Sequence, residues 1–197
     1  MPTDNTKRLA KNTSALYFRM LLSMVVSLYT SRVVLNTLGV EDYGVYNVVG
    51  GVVAMFGFLN ASMSSATARF LAFELGKGDA TRLKKTFSTA LLVHIGIALF
   101  IFVIAETIGL WFLNDKLVIP IHRMSAAHWV YQFSILSTLI TITQAPYNAS
   151  IIAHEKMDIY AYVEILNVIL KLVIVYFLVI GNFDKLILYG LLVLIVS

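Results

Sequence analysis

Apolar residues run along this chain in stretches of about 20, separated by short segments that carry most of the charge. The stretches fall at about 14–35, 43–63, 87–113, 125–152 and 160–180, and a last one opens near Leu186 and is still apolar at Ser197. A helix rises about 1.5 Å per residue, so about 20 residues cross roughly 30 Å of hydrocarbon. The pattern therefore predicts an all-α integral membrane protein with five full spans and the start of a sixth. A natural chain seldom stops in mid-membrane without a flanking anchor. The expectation is a truncated chain, with a cytoplasmic segment over 1–13 and one six-helix transmembrane lobe over 14–197, its sixth helix (186–197) cut short.

Polar residues inside the spans fall on stripes. Residues three, four and seven apart share one face of a helix. Span five places Tyr160, Glu164, Asn167 and Lys171 within about 60° of arc. Charges in hydrocarbon cost several kcal/mol unless paired or hydrated, so this face predicts either a cavity lining or a structural network with neighbouring helices. Span four carries Ser134, Ser137, Thr141, Gln144 and Asn148 within about 80°, with Pro146 expected to free a carbonyl and kink the helix. Span one has Arg19, Ser23, Ser27 and Thr30 on one face, where Arg19 either snorkels to the near interface or meets a ligand. Arg32 falls on roughly the opposite face. Span two repeats small residues (Gly50, Ala54, Gly57, Ala61), which predicts close helix packing. His94 and Glu106 of span three share no stripe. Spans one, four and five thus read as wet-faced, two as tightly packed, and three and six as lipid-facing.

Composition sharpens this picture. Hydrophobic residues make up 59% of the 197 and charged ones 13%, with a mean hydropathy of +0.82. Soluble domains carry about 25% charged residues. The net charge of +4 lies mostly between the spans, so it reads as topology, and no nucleic-acid partner is expected. With an internal N-terminus, ten lysines and arginines, among them Lys7, Arg8, Arg82, Lys84 and Lys85, lie inside, and Arg32, Lys116, Arg123 and Lys185 lie outside. That bias predicts a cytoplasmic N-terminus and an inner loop over 64–86. The first apolar run is too long for a cleaved signal, so it is expected to stay as the targeting span.

Cysteine is absent, which excludes disulfides and thiol metal sites. No phosphate-binding loop, metal spacing or nucleophile elbow occurs, so neither cofactor nor catalytic residue is expected. Gly76-Lys77-Gly78-Asp79 reads as a turn opening span three. The glycosylation triplets at Asn12, Asn60 and Asn148 fall near the inner side or within spans and are discounted.

Three segments carry a family resemblance. Ser31-Arg32 followed by LNTLGVEDYGVYNVVGG is similar to the first outer loop of bacterial polysaccharide and O-antigen flippases. SATARFLAFELGKGDATRLKKTF and PYNASIIAHEKMDIYAY extend the likeness over nearly the whole chain. These flippases belong to the multidrug, oligosaccharidyl-lipid and polysaccharide exporter superfamily, whose members set two six-helix lobes around a central cavity lined by helices one, two, four and five. The resemblance implies that cavity cations bind the pyrophosphate of an undecaprenyl-linked saccharide bound for surface polysaccharide such as lipopolysaccharide. Arg32 matches the family loop; Arg19, Glu164 and Lys171 are carried over by location. The stripes add Gln144, Asn148 and Asn167 as substrate-binding candidates.

The expected partners are the lipid bilayer of the bacterial inner membrane, the lipid-linked saccharide and a missing C-terminal lobe. Three rivals stand beside this flippase. A multidrug exporter of the same superfamily would need carboxylates to dominate the cavity. A membrane-embedded glycan enzyme would need a large outer loop or a metal-binding acidic motif, and a truncated fragment could be inactive.

Overall fold

The computed structural model describes residues 2–180 and 184–197, with all their side chains except those of 2–12, 15, 16, 58, 59, 61, 158, 160 and 180. Among the described residues every element is helical and there is no strand. Helix α1 (Pro2–Ala54) has two legs joined at Gly39, whose φ of 80° and ψ of 169° leave the helical region. Glycine takes that conformation without the Cβ clash other residues meet. Spans 14–35 and 43–63 begin on these two legs. The second leg ends in a turn at Met55 and Phe56, and the chain continues as α2 (Gly57–Lys77).

The inner loop expected over 64–86 is therefore mostly helix. Its residues are more polar than the spans, but Ala, Leu, Phe, Glu and Arg support a helix well enough to carry α2 through to Lys77. Only Gly78 and Asp79 separate α2 from α3 (Ala80–Ile104). Gly78 sits at φ 73° and its N–H closes α2 on the carbonyl of Leu75. The Asp79 carboxylate then caps α3, accepting from the amides of Thr81 and Arg82 at 3.0 Å each. This is the Gly-Lys-Gly-Asp turn read from the sequence.

Helix α3 passes through a π-helical turn (Ala105–Gly109) into α4 (Leu110–Asp115). The Tyr131 hydroxyl donates to the carbonyl of Ala105 at 2.7 Å. Gly109 makes room for that phenol, since a Cβ there would lie 1.9 Å from its oxygen. A 3₁₀ turn (Ile121–Arg123) leads into α5 (Met124–Ala153), followed by α6 (Met157–Ile180) and α7 (Lys185–Val196). Helix α5 runs unbroken past Pro146, where the sequence suggested an interruption.

Helix α5 lies at the centre and packs against α1, α2, α3, α6 and α7. The main core joins Val45, Val49 and Val53 of α1 to Val130, Tyr131 and Ile135 of α5, with Leu178 of α6 and Leu186 of α7. Among the described residues, the stretches Tyr17–Ala54, Ala80–Asp115 and Ala161–Val179 are long and apolar enough to cross a membrane. Their most apolar windows are only 6%, 17% and 22% buried within the chain. Leu92, Leu99 and Phe100 of α3 and Tyr162, Val163 and Phe177 of α6 all point outward. Apolar surface on that scale needs lipid around it. The chain is a multi-pass helical membrane protein.

Candidate functional site

Helix α6 pairs along α1, and the two polar stripes on their facing sides come into register. Arg19 and Glu164 meet first, with Nη1 4.0 Å from Oε1. One to three turns further along, Ser23, Ser27, Thr30 and Ser31 of α1 and Lys171 of α6 line a cavity of about 290 Å³. Val168 and Ile174 complete the α6 wall, while Tyr46, Tyr189 and Val193 close the other side. The two tyrosine rings lean together with centroids 4.7 Å apart. Thr30 Oγ1 is buried without a hydrogen-bond partner among the described residues. Among the described residues no carboxylate lines this cavity.

A second cavity of about 190 Å³ adjoins the first at Tyr46 and Val193. Ser134, Ser137 and Thr138 of α5 face Gly50 and Ala54 of α1 across it, with Gly190 of α7 at its edge. The small residues of span two thus border open space here. A Cβ on Gly50 or Gly57 would meet nothing within 4 Å, which corrects the expectation of close backbone packing. The side chain of Ala61 lies outside the described set. Close approach falls instead at Gly109, against Tyr131, and at Gly190, against Val130 and Phe133.

The structure separates the candidate residues into groups. Lys171 lines the first cavity, and Arg19 and Glu164 pair beside it. Asn167 is half-buried between them, with Oδ1 buried and unpartnered among the described residues. Tyr160, the fourth member of that stripe, has its side chain outside the described set. Arg32 is exposed and lines neither cavity. Gln144 donates to the carbonyl of Ser197 at 2.9 Å, and Asn148 is half-buried one turn further along α5; neither lines either of these two cavities. Thr141 donates to the carbonyl of Ser137 at 2.9 Å, the local bond by which a helical threonine hides its hydroxyl. The α5 stripe therefore contributes its first two members, Ser134 and Ser137, to the second cavity.

Sequence reasoning missed the two cavity tyrosines and an ionic clasp joining three connections of the fold. Glu41 and Asp42, just after the Gly39 bend, meet the 3₁₀ turn. His122 Nε2 lies 3.0 Å from Glu41, and Arg123 grips both oxygens of Asp42. Arg123 Nη1 also donates to Asp184 at 2.8 Å. The hydrogen bonds that Arg123 donates to Asp42 raise its pKa above the ordinary value. Asp184 in turn caps α7 through the amides of Leu186 and Ile187. Asp42 stood in the family-like segment, but Arg123 lies 81 positions away from it and 61 from Asp184, a pairing no local pattern reveals.

Among the described residues no group of three or more His, Cys, Asp or Glu could hold a metal ion. The first cavity presents one ammonium and several hydroxyls to its interior. A model of the MatE family matches residues 15–177. No match was found among curated proteins or among solved structures.

Proposed function

We propose that this chain, which belongs to the MatE family of membrane transporters, carries a lipid-linked saccharide across the bacterial inner membrane. The family places it in the multidrug, oligosaccharidyl-lipid and polysaccharide exporter superfamily, whose members are transporters rather than enzymes. The finer reading rests on one observation. The first cavity presents a single ammonium, Lys171, among hydroxyls and tyrosines, and among the described residues no carboxylate lines it. That lining suits a phosphate or pyrophosphate head group.

The mechanism is alternating access. This lobe and a second lobe rock about the cavity, which opens to the inner and then to the outer side. Lys171 lies about 21 Å along α6 from Met157 and about 14 Å from Ile180, so its charge acts deep in the membrane. An ion pair at 4 Å is worth about 1 kcal/mol in bulk water and about 4 kcal/mol at an effective dielectric of 20. One lysine there attracts a phosphate strongly while its neighbours supply weak, exchangeable hydrogen bonds. The Arg19–Glu164 pair, on the side we assign to the cytoplasm, would be the first charged contact an entering head group meets. The family match alone fits an exporter of small organic cations equally; the lining favours the anion.

The test is surface saccharide per copy of membrane-inserted protein, measured in cells that depend on the complete transporter. Lys171→Ala is expected to lower export about tenfold or more with insertion unchanged, and Lys171→Arg to keep part of it. Undiminished export by Lys171→Ala would refute the head-group role.

A further inference from the structure

Away from both cavities, the α2–α3 hairpin encloses a separate slot of about 390 Å³, within the size range of ligand pockets. Met63, Ala66, Thr67 and Phe70 of α2 form one wall, and Thr86, Thr89, Ala90 and Val93 of α3 form the other. Two groups bracket it. Lys85, five residues into α3, stands exposed at the end near the hairpin turn, and His94 lies at the far end, about 13 Å further along the axis.

His94 is only 1% exposed, and its Nδ1 is 2.8 Å from the carbonyl of Ala90. A carbonyl can only accept, so in the neutral ring Nδ1 carries the proton and Nε2 is left as an acceptor. That Nε2 is buried and has no partner among the described residues. An orphaned acceptor in an apolar slot calls for a hydrogen-bond donor. The other end calls for an anion, because Lys85 lines the slot and among the described residues no carboxylate does.

We infer that the α2–α3 slot binds an anionic amphiphile carrying a hydroxyl partway along its chain. The anion sits on Lys85, the chain lies between Phe70, Ala66, Ala90 and Val93, and the hydroxyl donates to His94 Nε2. Phe70 and Phe73 of α2 and Leu92 of α3 are exposed, so such a molecule can enter sideways from the bilayer. This site is independent of the transport cavity: α3 packs on α2 and α5 and lines neither of the two cavities described above.

A pair of probes isolates the hydroxyl. 12-Hydroxystearate places its hydroxyl at a reach matching the Lys85–His94 separation, and stearate differs only in lacking it. Binding of each tritiated acid to the full chain in phosphatidylcholine nanodiscs is measured after subtracting empty discs. The hydroxy acid is expected to bind about tenfold more tightly, the effect of one well-placed hydrogen bond. His94→Phe should abolish that preference, and Lys85→Gln should weaken both acids alike. Equal binding of the two acids by the unaltered chain, or a preference that survives His94→Phe, overturns the inference. Should His94→Phe fail to insert, a diazirine-bearing 12-hydroxystearate on the unaltered chain decides instead. Labelling confined to 63–70 and 86–94 supports the slot, and labelling spread over the other helices overturns it.

Discussion

Replacing Arg123 with alanine removes the guanidinium that ties the Gly39 bend, the entrance to α5 and the start of α7 together. The two carboxylates it leaves behind are not equivalent. The Asp42 side chain is 11% exposed and is gripped through both oxygens, whereas that of Asp184 is 35% exposed. Breaking a buried pair by removing one partner costs about 3–5 kcal/mol, because the remaining charge stays uncompensated. An exposed pair is worth about 0–1 kcal/mol. Asp42 lies at the margin of the helical bundle, where water can reach part of the freed charge, so the lower end applies and the total is about 3 kcal/mol. Chains of this size lose about 2–4 °C of Tm per kcal/mol, giving a fall of roughly 6–12 °C. The assay is thermal unfolding of the purified chain in one detergent, followed by tryptophan fluorescence. Arg123→Ala/Asp42→Asn should recover much of the loss, because the orphaned charge goes with its partner. Arg123→Lys keeps the charge without the two-pronged grip and should fall between. An Arg123→Ala chain that melts within about 1 °C of the parent would refute the clasp as a stabilising element.

Other outcomes follow from particular contacts. Gly109→Ala brings a methyl against the Tyr131 hydroxyl and should cost about 1–3 kcal/mol in the same unfolding assay. In a Tyr131→Phe background the same change should cost measurably less, and equal cost in both backgrounds would show that the phenol is not the obstacle. For orientation, single cysteines at Thr81 and Asn114 stand near opposite ends of the α3–α4 rod, both exposed. The proposed cytoplasmic N-terminus requires an impermeant thiol reagent to label Asn114→Cys, and not Thr81→Cys, in intact cells; the reverse result inverts the topology.

Much of the architecture was legible because hydrophobic length and helical period are local properties. The apolar runs at 125–152 and 160–180 lie within α5 (Met124–Ala153) and α6 (Met157–Ile180), each extending past its run by at most three residues. Boundaries slipped where hydropathy and helix propensity disagree. From Ser64 to Lys77 the chain becomes too polar to read as a span, yet it keeps good helix formers, so α2 continues to the glycine that can end it. The break between the first two apolar runs was legible as the gap at 36–42, and the structure narrows it to Gly39, whose positive φ lies just before the contacts at Glu41 and Asp42.

The site was legible in half. A stripe on one helix shows that some face is wet, but not which other stripe it meets. The stripes of spans one and five do meet, and the reason is register. Both helices run in the same direction, and the separation from Arg19 to Ser27 on α1 nearly equals that from Glu164 to Lys171 on α6. Pairing the first members therefore brings the second members to the same cavity. The α5 stripe has no such partner along its length. Its upper half faces the small residues Gly50 and Ala54 and opens a cavity, while Thr141 turns back to its own helix and Gln144 to Ser197. Hydroxyl stripes thus divide according to what they face. Where the opposite helix offers a polar face or leaves space, the hydroxyls line a cavity, and a threonine there, Thr138, still bonds the carbonyl one turn back. Arg32 belongs to neither case. It lies on the outward face of the leg whose inward face lines the cavity, so its match to the family-like loop tells where the chain bends, and Lys171 is the cation that faces the cavity.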